Sequence, residues 1–484
     1  MTRPDPTVSM GKLPEASPVA EPQPAARPDQ PRPLPLGAAL GGLKRGFASL
    51  GVRNYRLFWS GQVVSNTGTW MQQVSLPWLV LALGGSPLQL GFVAVLQFGP
   101  AMFLAPFGGV FADRIDKRRA LMVTAIAASG QASILFALTA TGIVEIWMVM
   151  GMALLLGLVN AVDMPIRQSL AADLVPRHIL ANAIALNSMA FNSARIVGPA
   201  LAGVIIASGA AITGSSIAGV AVNLGINAFT YAAVVSALWR MNPREIRRHE
   251  RPDRQPPVLD SLREGFRYAA RTPLVFWSLA LLAGIAAFGF NFQILLPLFA
   301  TQILALDADG YGAIYASLGI GSLAGSLTLA FMRQRRALPL MLIGGVLFAV
   351  LLVGISLSGS LWMAVPLVMG AGFASMLMIN TINATVQANV PDRLRGRVMA
   401  LYVTVFAGSA PLGGLFAGGI AEAWGTPTAF LVGAAASAAT VGVVALGLRR
   451  ARGQGPLGVT VIDSSSRRPE PRPAAEARPA SAAR

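Results

Sequence analysis

The chain has 484 residues, of which 54% are hydrophobic and 12% charged, against roughly 25% charged in a soluble domain. Its apolar residues gather in runs of about 20 or more, which argues against a soluble enzyme and for a polytopic membrane protein. The net charge is +17, from 38 Lys+Arg against 21 Asp+Glu, and the absence of cysteine removes disulfides, thiol nucleophiles and thiolate metal sites.

Residues 1–53 carry ten prolines before position 36 and no apolar core of the signal-peptide kind, so they are expected to form a disordered tail. Twelve apolar stretches follow, near 55–83, 87–112, 120–141, 145–166, 182–207, 215–239, 273–303, 310–332, 337–358, 361–386, 397–422 and 427–448. Each is long enough to cross about 30 Å of hydrocarbon as a helix. They are continuous rather than alternating and rich in Gly and Ala, so the predicted fold is all-α.

Lys and Arg fall in every second connection, and those near 84–87, 142–145, 208–214, 304–309, 359–360 and 423–426 hold none. The positive-inside rule then places both termini and the central loop in the cytoplasm. Topology thus accounts for the basic balance, without a nucleic-acid partner. The organisation expected is an N-terminal six-helix half at 54–240, a cytoplasmic linker at 241–272, a C-terminal half at 273–448 and a second disordered tail at 449–484. Within the linker, Leu262, Phe266 and Ala269 recur at helical spacing, as in an interfacial helix.

A shift of 215 residues aligns Val175-Pro176 with Val390-Pro391, Ala185-Leu186 with Ala400-Leu401, Gly157 with Gly372, Gly198 with Gly413 and Ala202-Gly203 with Ala417-Gly418. Two pseudo-symmetric halves of the same orientation follow, with a site expected between them.

Ionisable residues inside spans are costly, about 2.5–3.5 kcal/mol at a helix centre on insertion scales. Asp163 and Arg195 are the clear cases. Asn160, Asp163 and Arg167 share one helical face, as do Ser188, Asn192, Arg195 and Pro199. Asp163 either pairs with Arg167 at i,i+4 or carries a coupled proton. Arg195 has no charged neighbour one turn away and must meet Asp163, a carbonyl, cavity water or an anionic group on a substrate. Gln62, Asn66, Trp70 and Gln73 lie close together around span one, and Asn380, Asn383 and Gln387 share a face of span ten. They suit either an amphipathic ligand in a cavity or hydrogen bonds between helices. The two histidines, His178 and His249, are far apart, so no metal cluster is expected, and none of the three lysines sits in a Walker loop.

After span two the chain reads Gly109-Val110-Phe111-Ala112-Asp113-Arg114-Ile115-Asp116-Lys117-Arg118-Arg119. This resembles the loop signature of the major facilitator superfamily, G-x-x-x-D-[RK]-x-G-[RK]-[RK], with Asp116 where the family has Gly. The resemblance implies a conformational latch of Gly109, Asp113, Arg114 and Arg118. Ala194 to Gly203 is similar to the family's antiporter motif G-x-x-x-G-P-x-x-G-G, with Ala194 and Ala202 replacing two glycines, and implies a hinge at Gly198, Pro199 and Gly203. With Asp163-Met164-Pro165-Ile166-Arg167-Gln168 and Asn182 to Ser188, residues 54 to 448 resemble a subgroup of bacterial siderophore, macrolide and tetracycline exporters. What this implies is the major facilitator fold in a bacterial inner membrane, a monomer in the lipid bilayer, and export of an amphipathic small molecule, a drug or siderophore. Alternating access would be driven by the proton gradient with no cofactor. A nutrient facilitator or importer of the same fold, and a non-transporting scaffold or sensor, remain as alternatives. A membrane enzyme is disfavoured, because no convergent His, Cys, Ser or metal-ligand set is present.

Overall fold

In lipid an apolar segment must satisfy its backbone internally, and a helix does so. The computed structural model describes residues 46–246, 258–332 and 337–453, and these contain helices and no strand. Before the linker come α1 (Arg53–Ala82), α2 (Pro87–Arg114), α3 (Lys117–Ala140), α4 (Ile146–Asp173), α5 (Leu180–Thr213) and α6 (Ser216–Arg240). After it come α7 (Val258–Arg271), α8 (Pro273–Phe288), α9 (Phe292–Leu298), α10 (Ala308–Phe331), α11 (Ala337–Leu357), α12 (Leu361–Asn389), α13 (Asp392–Trp424) and α14 (Thr426–Gly453). Both predicted tails lie largely outside the described residues.

Eleven of the described helical segments are long and apolar enough to cross a membrane, with α8 and α9 counted as one. The remaining predicted stretch is α1. Its 30 residues would reach about 45 Å, but Gln62, Ser65, Asn66, Thr69, Gln72 and Gln73 crowd its middle and lower its hydropathy. Several of these, including Gln62, Ser65 and Gln72, are buried, so the polarity faces protein.

Span seven departs from the single helix expected over 273–303. It ends at Phe288, restarts at Phe292, and closes with a π-helical turn at Phe299–Ile303. The causes are local. Pro297 has no N–H for the carbonyl one turn back, and the Asn291 side chain takes up the Ala287 carbonyl freed by the break, at 3.1 Å. Tight turns close the short connections opposite the linker, with Gly214 at φ +74° ending α5 in the left-handed conformation.

The packing repeats itself. Helix α1 lies on α5 and α6, α2 on α4, and α3 on α4 and α6; correspondingly α8 lies on α13 and α14, α10 on α12, and α11 on α12 and α14. Across the two sets, α2 packs on α13 and α5 on α10. The glycines aligned by the 215-residue shift occupy equivalent crossings. Gly157 and Gly372 face α2 and α10, Gly198 and Gly413 face α1 and α8, and Gly203 and Gly418 face the first turns of α10 and α2. A Cβ at Gly203 would stand 2.7 Å from the Ala308 carbonyl oxygen, and one at Gly418 2.6 Å from that of Pro87, so these contacts tolerate no side chain.

The linker helix α7 is held along one face. Gly265 lies under the Arg397 backbone, Glu264 pairs with Arg397, and the Tyr268 hydroxyl donates to the Asn389 carbonyl at 2.8 Å. Phe266 is exposed, as an interfacial helix requires.

Candidate functional site

One stripe of α5 changes environment along its length. Ile184 is 59% exposed, Ser188 and Phe191 are exposed and Asn192 is half-buried, whereas on the same side Arg195, Pro199, Ala202 and Ile206 are buried. The corresponding stripe of α13 behaves alike, from exposed Val403 to buried Gly414, Ala417 and Ala421. On α1, Asn66, Trp70 and Gln73 are half-buried, and the helix is buried from Val74 to Val80. A cleft therefore opens on the linker side between the two sets of helices and ends at the level of Arg195.

Arg195 forms the floor of that cleft. It is 8% exposed, and its Nε has no hydrogen-bond partner among the described residues. Its Cζ sits 5.7 Å from the Trp70 ring centroid, a cation–π distance. Phe191 meets the same ring edge-on at 5.6 Å, and Gly198 lets the Trp70 Cβ come close. Tyr315 of α10 lies within electrostatic reach of the guanidinium and near Gln293 of α9, whose Nε2 donates to Gln73 Oε1 at 3.3 Å. Beyond them Trp78 stacks on Tyr311 at 5.8 Å, closing the far side with apolar ring faces. The structure thus joins Arg195, Trp70 and Gln73 of the predicted set to Gln293 and Tyr315.

Asp163 is elsewhere. It lies among the first six helices, where Arg167 Nε donates to its Oδ2 at 2.5 Å and Thr124 Oγ1 to its Oδ1 at 2.6 Å. Tyr231 stands beside this ion pair and reaches the Thr69 hydroxyl at 3.3 Å. A ladder of amides lies alongside it: Asn227 donates to Gln72 and Gln72 to Gln131. Of the sequence alternatives for Asp163, the pairing with Arg167 is present, and a bond between Asp163 and Arg195 is not found among the described residues.

The other predicted residues occupy separate places. Asn192 donates to the Ser188 carbonyl of its own helix, and Gln62 is buried with an unpartnered Oε1 among the described residues. Asn380 donates to Ser326 of α10, and Asn383 accepts from Gln387. Ser326 lies eleven residues below Tyr315, about 16 Å along α10, so the amides of α12 sit nearer the linker side than the cleft floor. Of the expected latch, Gly109, Asp113 and Arg114 lie in the last turns of α2, and their side chains are outside the described residues. Arg118 donates to the carbonyls of Leu238 and Trp239 at 2.6 and 3.0 Å, capping α6. Asp116, the departure from the family pattern, caps α3 by accepting from the Arg119 N–H at 3.0 Å, in a backbone conformation (φ −69°) that needs no glycine.

Sequence reasoning missed Gln293, Tyr315, Tyr311 and Phe191. The available signals were an amide in an otherwise apolar span and two tyrosines at i,i+4.

Comparison with known proteins agrees with this architecture. Residues 44–460 match the family of transmembrane secretion effectors. The staphyloferrin A transporter of Staphylococcus aureus is 25% identical over 379 residues, 78% of this chain and 92% of that protein. The multidrug efflux pump Tap of Mycolicibacterium fortuitum is 26% identical over 409 residues, 81% and 94% of the two chains. Among solved structures, a nucleoside transporter, NupG, superposes with a TM-score of 0.65 at 13% identity, covering 82% of this chain and 99% of that one. The chain is a membrane transporter, not an enzyme, and belongs to the transmembrane secretion effector family of the major facilitator superfamily.

Proposed function

We propose that this transporter exports amphipathic small molecules, of the drug or siderophore kind that its relatives' names indicate, in exchange for protons. The observation that carries this reading is the burial gradient along α5 and α13, exposed toward the linker and buried beyond Arg195. With termini and linker in the cytoplasm, as the basic loops indicate, the cleft opens to the cytoplasm and can load an internal solute. The two six-helix halves then rock about the Arg195 level, with the glycine contacts of α2 on α13 and α5 on α10 as bearing surfaces. The aromatic and amide lining of the floor suits a ligand with an apolar body and a few polar groups.

Asp163 is the proton carrier in this scheme. Protonation would weaken its ion pair with Arg167 and free a cation inside the first half, giving that half two electrostatic states. The setting is the inner membrane of a bacterium, with the protein acting as a monomer on the proton gradient alone. In everted vesicles, tetracycline should accumulate on energisation and be released by an uncoupler. Asp163→Asn should lose this accumulation while retaining tetracycline exchange. Accumulation that ignores the uncoupler, or survives in Asp163→Asn, would overturn the coupling scheme.

A further inference from the structure

Arg195 is a charge without a counter-charge. It is 8% exposed, its Nε has no partner, and no carboxylate lies within ion-pair distance of it among the described residues. The obvious candidate, Asp163, is already engaged by Arg167 and Thr124. A buried guanidinium is retained at such a cost where something else supplies the negative charge. Trp70 contributes only its ring face, and the Gln293 amide nitrogen is spent on Gln73.

The geometry points to a ligand that brings its own anion. We propose that Arg195 is the recognition point for the carboxylate of a transported amphiphile. Trp70 and Phe191, edge to face on the open side, take its aromatic or apolar body. Arginine suits this task because its fork bonds both oxygens of a carboxylate, and the cation–π contact with Trp70 holds that fork in place when the site is empty. A neutral ligand would leave the guanidinium unpaired, and a cation would repel it, so selection is by charge before shape.

This inference rests on the reading of the cleft as a substrate site and is tested by binding rather than by transport. Equilibrium dialysis of the purified full-length protein would use three isosteric probes: 2-naphthoate, 2-naphthamide and 2-naphthylmethylammonium. Naphthoate should bind about tenfold or more tighter than the amide, and the ammonium weakest. Arg195→Gln should bring naphthoate binding down to the level of naphthamide, while Arg195→Lys should restore part of the preference. Equal binding of the amide and the acid by the wild-type protein would overturn the proposal without any variant, as would naphthoate preference that persists in Arg195→Gln. Absence of any charge preference in the wild-type protein with uncoupler-sensitive tetracycline accumulation intact would remove this inference and leave the export reading standing; a clear preference without such accumulation would do the opposite.

Discussion

Position 163 is a buried aspartate, and its counterpart 215 residues later is Met378, with 0% exposure. Four residues on, Arg167 is matched by Ile382, also fully buried. The crossings around them are matched, since Gly157 and Gly372 seat their helices on α2 and α10 in the same way. The polar groups buried in the second half are mostly hydroxyls, and Ser317, Ser322, Ser375, Thr381, Thr385 and Ser409 bond carbonyls of their own helices. In the first half Gln72, Gln131 and Asn227 bond one another across three helices. The two halves share their packing and differ in electrostatics: small residues at crossings are kept in both, while among the described residues the buried carboxylates and guanidinium lie in the first.

Introducing the missing charge would break the comparison most sharply. Met378→Asp places a carboxylate against Ile382 with no cation, and should cost about 3 kcal/mol, read as a lowered unfolding midpoint in detergent. Adding Ile382→Arg should recover part of that loss, and no loss at all would mean the second half tolerates charge as the first does. Next in size are the bearings. Gly203→Ala and Gly418→Ala each force a methyl onto a backbone carbonyl and should cost about 2 kcal/mol, with matching losses of transport. Clearly unequal costs would show that the crossings are not mechanically equivalent. The smallest effects sharpen the polar contrast. Gln72→Leu leaves Asn227 and Gln131 each short of a partner and should cost about 1.5 kcal/mol. Thr381→Val removes a hydroxyl that bonds only its own helix and should change stability by less than about 0.5 kcal/mol.

The fold was readable from sequence because lipid leaves few choices: long apolar runs must be helices, and their basic connections alternate. The 215-residue repeat was readable because a backbone-to-backbone crossing admits only glycine, so Gly157, Gly198 and Gly203 could not drift from their counterparts. Arg195 stood out because a lone charge in an apolar helix demands a reason. Its surroundings were harder to see. Gln293 faces the cleft floor only because span seven breaks at Gly289–Asn291, and nothing in a run of apolar residues fixes where such a break aims the next turn. Tyr315 reads as an ordinary buried phenol until α10 is laid on α5. Helical spacing leaves Asn380 and Asn383 open to a ligand or to a neighbouring helix, because an amide bonds whatever is near; Asn380 bonds Ser326 of α10 and Asn383 bonds Gln387.

Among the described residues, Arg118 closes its bonds on the Leu238 and Trp239 carbonyls. The clamp ties the first turn of α3 to the last turn of α6, so a displacement of either helix end at this level is passed directly to the other.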